Sequence, residues 1–212
     1  RRHKLFWTRE MKYQYSELNE LGWNDWFAQR PNCKSTESVA RVAAVDRDQL
    51  LLVDQSGHFR AKLAGRYLHH HHLNQELPCV GDWVCVEKQS GDDFGVIHTL
   101  LERRTSLRRK SAGNIMEYQM IAANVDYVLI VQSCHFDFNP NRLERYLVMV
   151  LEGGAEPIVV LTKTDLVAPE VLATQLAEIQ AAGITAPIVP LSNVTQDGLD
   201  EVKRLLLPGK TY

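Results

Sequence analysis

The spacing of apolar residues changes character twice along the chain. From Ser38 to Leu100 it runs in short, β-branched segments, Ser38 to Asp46, Gln49 to Asp54, His58 to Gly65, Asp82 to Lys88 and Phe94 to Leu100, each bounded by turn-forming residues. The intervening Asp46-Arg47-Asp48, Gln55-Ser56-Gly57 and Ser90-Gly91-Asp92-Asp93 suit tight turns, because Asp, Ser and Gly bond to or relax the local backbone. Five short strands in so little chain predict a small closed barrel of the OB type, whose faces and loops can take oligonucleotides. The fold alone does not prove that use.

After Asp126 the period becomes that of alternating strands and helices. Asp126-Tyr-Val-Leu-Ile-Val131 reads as a buried strand. Asn139-Pro140 then supplies an N-cap and a first-turn proline for a helix with Leu143, Leu147 and Val150 on one stripe, ending at Gly153-Gly154. A second strand, Ile158 to Leu161, precedes a helix carrying Leu172, Leu176 and Ile179 that stops at Gly183. A third, Pro187 to Leu191, precedes a helix with Leu199, Val202 and Leu206. Such alternation predicts a parallel sheet with crossover helices, and ligands on such sheets gather at the carboxyl ends of the strands. The resulting division is an extension over 1–37, a barrel over 38–104, a basic linker over 105–125 and an α/β unit over 126–212. The extension holds Trp7, Trp23 and Trp26, with a short helix expected to end at Gly22; aromatics this dense either dock on the chain's own domain or form a partner-binding arm.

The candidate chemistry lies where the second strand ends. Pro157-Ile-Val-Val-Leu-Thr-Lys-Thr-Asp165-Leu has the form of an apolar strand running into a guanine-reading turn. A carboxylate at Asp165 can accept from guanine N1-H and the 2-amino group, a donor pair that adenine lacks. Lys163 can lay its stem along the purine, Thr162 can tie a neighbouring loop, and Thr164 completes the turn. After the next strand, a backbone N-H in Ser192-Asn193 can reach guanine O6. No phosphate cradle of the form Gly-x-x-x-x-Gly-Lys-[Ser/Thr] occurs in the 212 residues, and Gly209-Lys210-Thr211 is not one, lacking the glycines and the strand-to-helix turn that aim amides at phosphates. No catalytic residue for phosphoryl transfer is therefore assigned in this chain.

Charge adds a second candidate. Five of the eight residues from 103 to 110 are basic, namely Arg103, Arg104, Arg108, Arg109 and Lys110, a density that suits a phosphate backbone or else a solvated linker. The net charge of -2 excludes a uniformly basic nucleic-acid binder, so any RNA contact has to be local. Four cysteines without C-x-x-C spacing fit a reducing cytoplasm, and no apolar run reaches transmembrane length, so a cytoplasmic protein with no membrane partner, and a monomer, is expected. The run His69 to His72 cannot converge on one tetrahedral ion, and no metal site is assigned.

Several blocks in fixed order, Gly81-Asp-Trp-Val84, Arg103-Arg-Thr-Ser-Leu-Arg-Arg-Lys-Ser-Ala-Gly113, Ile121-Ala-Ala-Asn-Val-Asp126, Arg142-Leu-Glu-Arg-Tyr-Leu147, Leu161-Thr-Lys-Thr-Asp-Leu166 and Pro208-Gly-Lys-Thr211, resemble the circularly permuted GTPases of the RsgA/YjeQ/EngC type that act on the small ribosomal subunit. The resemblance implies a fold of class β plus α/β: an OB-type barrel followed by the first half of a permuted P-loop GTPase domain, in which the guanine motifs precede the phosphate loop. It further implies binding of GTP and GDP, contact with the small subunit and its rRNA, GTP hydrolysis during late subunit maturation, and, in parts beyond this chain, Mg²⁺ and a zinc domain. Asn193 departs from the family's usual small residue, which a backbone contact to guanine tolerates. The alternative is a non-catalytic OB-type RNA-binding module whose half-domain senses guanine nucleotide or acts as a scaffold.

Overall fold

A computed structural model describes residues 18–30, 33–71, 73–88, 94–110 and 118–212. Trp7, His72, the turn at 90–93 and the Ser111 to Gly113 end of the basic block lie outside the described residues. Strands β1 (Ser38–Val45), β2 (Leu50–Asp54), β3 (Gly57–Leu63), β4 (Trp83–Lys88) and β5 (Phe94–Leu100) close a barrel in the order β1-β2-β3-β5-β4. All neighbours are antiparallel except β3 and β5. Inward-facing Ala40, Val42, Leu52, Phe59, Ala61, Val84, Val86 and Ile97 fill it, as period-two alternation requires. The five runs are the OB-type barrel their alternation predicts. A helix α1 (Asp25–Ala28) in the extension and a helix α2 (Gly65–His70) after β3 were not legible as helices, being too short to show a stripe.

The outward side of β1 and β4 is apolar as well, and the extension covers it. A 3-10 turn at Leu18–Leu21 ends at Gly22, whose φ of +90° is open to glycine. From there Trp23 and Phe27 pack on Trp83, with Trp23 edge-on at 4.8 Å between ring centroids. Leu18, Leu21, Trp26 and Val39 complete this cluster with Leu101. The described part of the extension therefore docks on the chain's own barrel. Cys33 and Cys85 are joined there by a disulfide, a bond that their spacing did not suggest.

Strands β6 (Ser106–Lys110) and β7 (Tyr118–Ala123) form a two-stranded antiparallel sheet, so the stretch expected as a linker is paired structure. Its base is held by Ser106 N-H donating to Gly153 O at 2.9 Å and by Ala123 N-H donating to Val80 O at 2.9 Å. Gly81, at φ +90°, allows the close approach, since a Cβ there would meet Ala123 O at 2.1 Å.

The α/β unit has β8 (Tyr127–Ser133), α3 (Pro140–Glu152), β9 (Glu156–Thr162), α4 (Pro169–Ala181), β10 (Ile188–Leu191) and α5 (Leu199–Leu205), with a parallel sheet in the order β10-β9-β8. Asn139 caps α3 by accepting from Arg142 N-H at 3.0 Å. Val159 and Leu161 face Leu143, Leu147, Val150 and Ile179, whereas Ile158 and Val160 face Leu199, Val202 and Leu205. Helices on both faces explain why β9 reads as a continuous apolar run.

One side chain ties barrel, extension and sheet together. The Arg41 guanidinium donates to Gly81 O at 3.1 Å, Thr211 Oγ1 at 2.8 Å, Asn124 O at 2.9 Å and also to Leu21 O. Burial pulls its pKa down to about 10 against the opposing pull of Asp126 and Asp82, and it remains charged at neutral pH. Thr211 O in turn accepts from Asp126 N-H at 2.9 Å and Tyr127 N-H at 3.1 Å. Arg41→Met is expected to destabilise the chain by about 3 kcal/mol, because one truncation strands several buried carbonyls at once. Urea unfolding checks this, and a loss under about 1 kcal/mol would mean the joint is held by something else.

Candidate functional site

The apolar run of β9 ends at Thr162, and the chain turns at once, with Lys163 at φ +63°. A β9 strand followed by a 3-10 turn at Thr164–Leu166 needs that left-handed step, a conformation uncommon for a residue with a side chain. The step puts Lys163 and Asp165 at the surface, above the carboxyl end of the central strand.

Asp165 is fixed from the neighbouring strand. Ser192, fully buried after β10, donates its hydroxyl to Asp165 Oδ1 at 2.6 Å. Ser192 Oγ in turn accepts from Val194 N-H at 3.2 Å and Thr195 N-H at 3.1 Å, so the serine is itself locked by its loop. Gly198 makes that loop's return possible, since at φ +77° a Cβ would sit 1.9 Å from Pro190 O. Ser192 N-H donates to Asp197 O at 3.0 Å, while Asn193 N-H has no partner among the described residues. Each carboxylate oxygen has two lone-pair sites, so with one taken by Ser192 the Asp165 carboxylate retains capacity for at least two further donors. The serine hydroxyl is the site residue that motif reading missed: Ser192 was singled out for a backbone N-H, but its N-H is engaged and its side chain is the clamp.

Thr162 and the loop after β8 close the other flank. Thr162 Oγ1 donates to Gln132 O at 3.4 Å, and Thr162 O accepts from Cys134 N-H at 2.9 Å. Buried Gln132 donates to Asp137 O at 3.0 Å and Asn139 O at 3.2 Å, and Gln175 donates to Cys134 O at 2.7 Å. Arg142 donates to Asp137, which with a further contribution from Lys163 holds that carboxyl below its usual range. Lys163 thus stands near the Asp137 carboxylate, two residues before Asp165.

The basic candidates separate into two groups. Arg103 grips Asp82 in two-pronged fashion, Nε to Oδ1 at 2.8 Å and Nη2 to Oδ2 at 2.7 Å, and also donates to Gln75 O at 2.5 Å and Leu77 O at 2.8 Å. Arg104 pairs with Asp126 at 2.6 Å. These two are joints of the fold. Arg108, Arg109 and Lys110 are exposed on the β6–β7 ribbon, Arg108 stacked over Tyr118 at 4.3 Å and Arg109 bonded to Gln119 at 2.9 Å. Lys210 and Thr211 serve structure too: Thr211 N-H donates to Asp126 Oδ2 at 2.9 Å, and Lys210 lies 3.4 Å from Oδ1. Against the cost of its burial, the Thr211 N-H, Arg104 and Lys210 hold the Asp126 carboxyl below its ordinary value.

The family model of RsgA GTPases matches residues 100–212. The small ribosomal subunit biogenesis GTPase RsgA of Opitutus terrae is 37% identical over 204 residues, which take in 92% of this chain and 55% of that protein. Its counterpart in Syntrophotalea carbinolica is 38% identical over the same shares of the two chains. The chain thus spans about half the length of the curated relatives it matches. Among solved structures, YjeQ from Thermotoga maritima gives a TM-score of 0.62 at 23% identity, over 80% of this chain and 57% of that one. YloQ, described as a circularly permuted GTPase, gives 0.59 at 20% identity, over 84% and 59%. These two speak for the fold: an OB-type barrel followed by the first part of a permuted GTPase domain. With the family match covering just over half of the 212 residues, and relatives above 30% identity across nearly all of it, the chain belongs to the RsgA GTPase family.

Proposed function

We propose that the turn at Thr162, Lys163, Thr164 and Asp165, with Ser192 and Asn193, reads the guanine base of GTP or GDP. In the intact protein this reading serves GTP hydrolysis during late maturation of the small ribosomal subunit. The observation that carries the reading is the Ser192 hydroxyl on Asp165 Oδ1 at 2.6 Å, which fixes the carboxylate and leaves it lone pairs, while the next residue, Asn193, has an N-H with no partner among the described residues. A carboxylate acceptor with an N-H donor complements N1-H, the 2-amino group and O6 of guanine, whereas adenine opposes it at N1 and at the 6-amino group and has no donor at position 2. The relatives, small ribosomal subunit biogenesis GTPases by name, support the same activity for the whole protein. The groups that would hold phosphates, with Mg²⁺, belong to the remainder of such a protein, as does any zinc domain. Without them this chain has no means of stabilising phosphoryl transfer.

The domain reading goes with it: an extension to residue 37, an RNA-binding barrel to 104, a basic segment to 125, and the guanine-binding half from 126. Contact with rRNA falls to the barrel and to Arg108, Arg109 and Lys110, whose ribbon stands away from the ion pairs that occupy Arg103 and Arg104. The protein acts as a cytoplasmic monomer. No helix among the described residues is long and apolar enough to cross a membrane.

Asp165→Asn in the intact protein is expected to weaken GTP and strengthen xanthosine triphosphate, a reversal of about 2 to 4 kcal/mol. Ser192 keeps the amide oxygen on its own side, so the amide N-H faces the 2-carbonyl of xanthine. Competition binding of both nucleotides checks it, and loss of GTP without gain of xanthosine triphosphate would make Asp165 structural. For RNA, replacing Arg108, Arg109 and Lys110 together by Ala is expected to make the salt dependence of small-subunit binding shallower by roughly 2 to 3 in log-log slope. An unchanged slope would remove the ribbon from the interface.

A further inference from the structure

The extension is fastened to the barrel by more than packing. Cys85 lies on β4 with its side chain wholly buried under the aromatic cap, and Cys33, partly exposed, reaches it from across 52 residues with their Cα atoms 5.3 Å apart. Glu37 brings a carboxylate to the same place: one ligand atom each from Cys33, Glu37 and Cys85 lies within 4.8 Å of the others. That carboxylate is 3% exposed, accepts from Lys34 N-H at 3.0 Å, and among the described residues has as its ion-pair partner only the exposed Lys34 ammonium at 4.0 Å. Burying a carboxylate is costly when so few donors meet it, and against a disulfide the group has a use as a proton acceptor. The other two thiols, Cys79 and Cys134, are buried, and burial raises both, Cys79 to about 12, which leaves them poor nucleophiles.

We propose that the Cys33–Cys85 disulfide, with Glu37 beside it, is a thiol–disulfide exchange centre for a low-molecular-weight monothiol, by which the aromatic cap is latched to and released from the barrel. The Glu37 carboxylate takes the proton of the incoming thiol, whose sulfur attacks Sγ of Cys33, the less buried of the two cysteines. The bond to Cys85 breaks, Cys85 Sγ leaves with the electron pair, and Glu37 returns the proton to it. The products are a mixed disulfide on Cys33 and a thiol at Cys85. A second thiol then displaces Cys33 as a thiol and leaves as the small-molecule disulfide, so two thiols are oxidised as one protein disulfide is reduced. A disulfide in a reducing compartment is ordinarily of this transient kind. The proposal does not depend on the guanine reading. Its consequence reaches the joint, because the cap residue Leu21 shares the Arg41 guanidinium with Thr211.

The test is to equilibrate the 212-residue chain in graded mixtures of reduced and oxidised glutathione, then quench by alkylation under denaturing conditions and locate each cysteine's state by mass spectrometry. The expected result is a switch between two and four alkylated cysteines, with the mixed disulfide confined to Cys33, and a parallel rise in tryptophan emission as the quenching disulfide opens beside Trp23 and Trp83. Glu37→Gln should slow the exchange at least roughly tenfold while leaving the oxidised fraction unchanged. Cys33→Ser should abolish the switch while circular dichroism stays that of the folded chain. Four alkylated cysteines at every ratio, two at every ratio, or an adduct elsewhere than Cys33 would overturn the proposal. So would a reduced chain that retains one equivalent of zinc dependent on Cys33, which would make the cluster a metal site. An unchanged rate in Glu37→Gln would remove Glu37 from the chemistry.

Discussion

A single buried cation organises this molecule. Arg41 sits on a barrel strand among apolar neighbours, where an unpaired guanidinium would be prohibitive, and the structure answers by bringing carbonyls and a hydroxyl from separate parts of the chain to it. Those acceptors come from four pieces far apart in sequence: the end of the cap, the loop at Gly81, the connector at Asn124 and the Thr211 segment. Asp126 and Asp82 stand near enough to oppose the cost of burial. The barrel's position against the sheet is thereby fixed at the amino-terminal end of β8, and the carboxyl ends of the strands are left clear.

Those clear ends hold the candidate base reader, and its parts come from different strands. A left-handed lysine at the end of β9 presents Asp165, and a buried serine after β10 holds it. Neither piece involves a phosphate-holding group. The candidate base reader thus needs only the three parallel strands β8, β9 and β10 to be assembled. The loop after β8, braced by Gln132 and Gln175, completes the flank and keeps an acidic rim near Lys163.

Much of this was legible in the residues. The barrel strands announced themselves because one face of each is buried, so alternation survives in the sequence, and α3 did because Asn139-Pro140 starts it and a double glycine ends it. The ribbon of β6 and β7 was hidden by its own charge: Arg108, Arg109 and Lys110 are exposed, so no apolar alternation marks the strand. Arg41 looked like any surface arginine, because a side chain's acceptors are set by tertiary contacts from Leu21 to Thr211. The turn at Asp165 could be read from its motif. The Ser192 clamp could not be assigned to the hydroxyl rather than the N-H, since that distinction is made by the loop's closure onto Asp197. The disulfide spans 52 residues and two structural units, beyond the reach of spacing arguments.

The central claim is that the base reader is already built in this chain. Backbone amide NMR of the 212-residue protein, titrated in parallel with guanosine and adenosine monophosphates, tests it most directly. The account predicts that the guanosine nucleotide shifts the Asn193 amide together with those of Lys163 and Asp165, while the adenosine nucleotide leaves them in place. Equal shifts from both nucleotides, or shifts from guanosine monophosphate that spare Asn193 and Asp165, would contradict it.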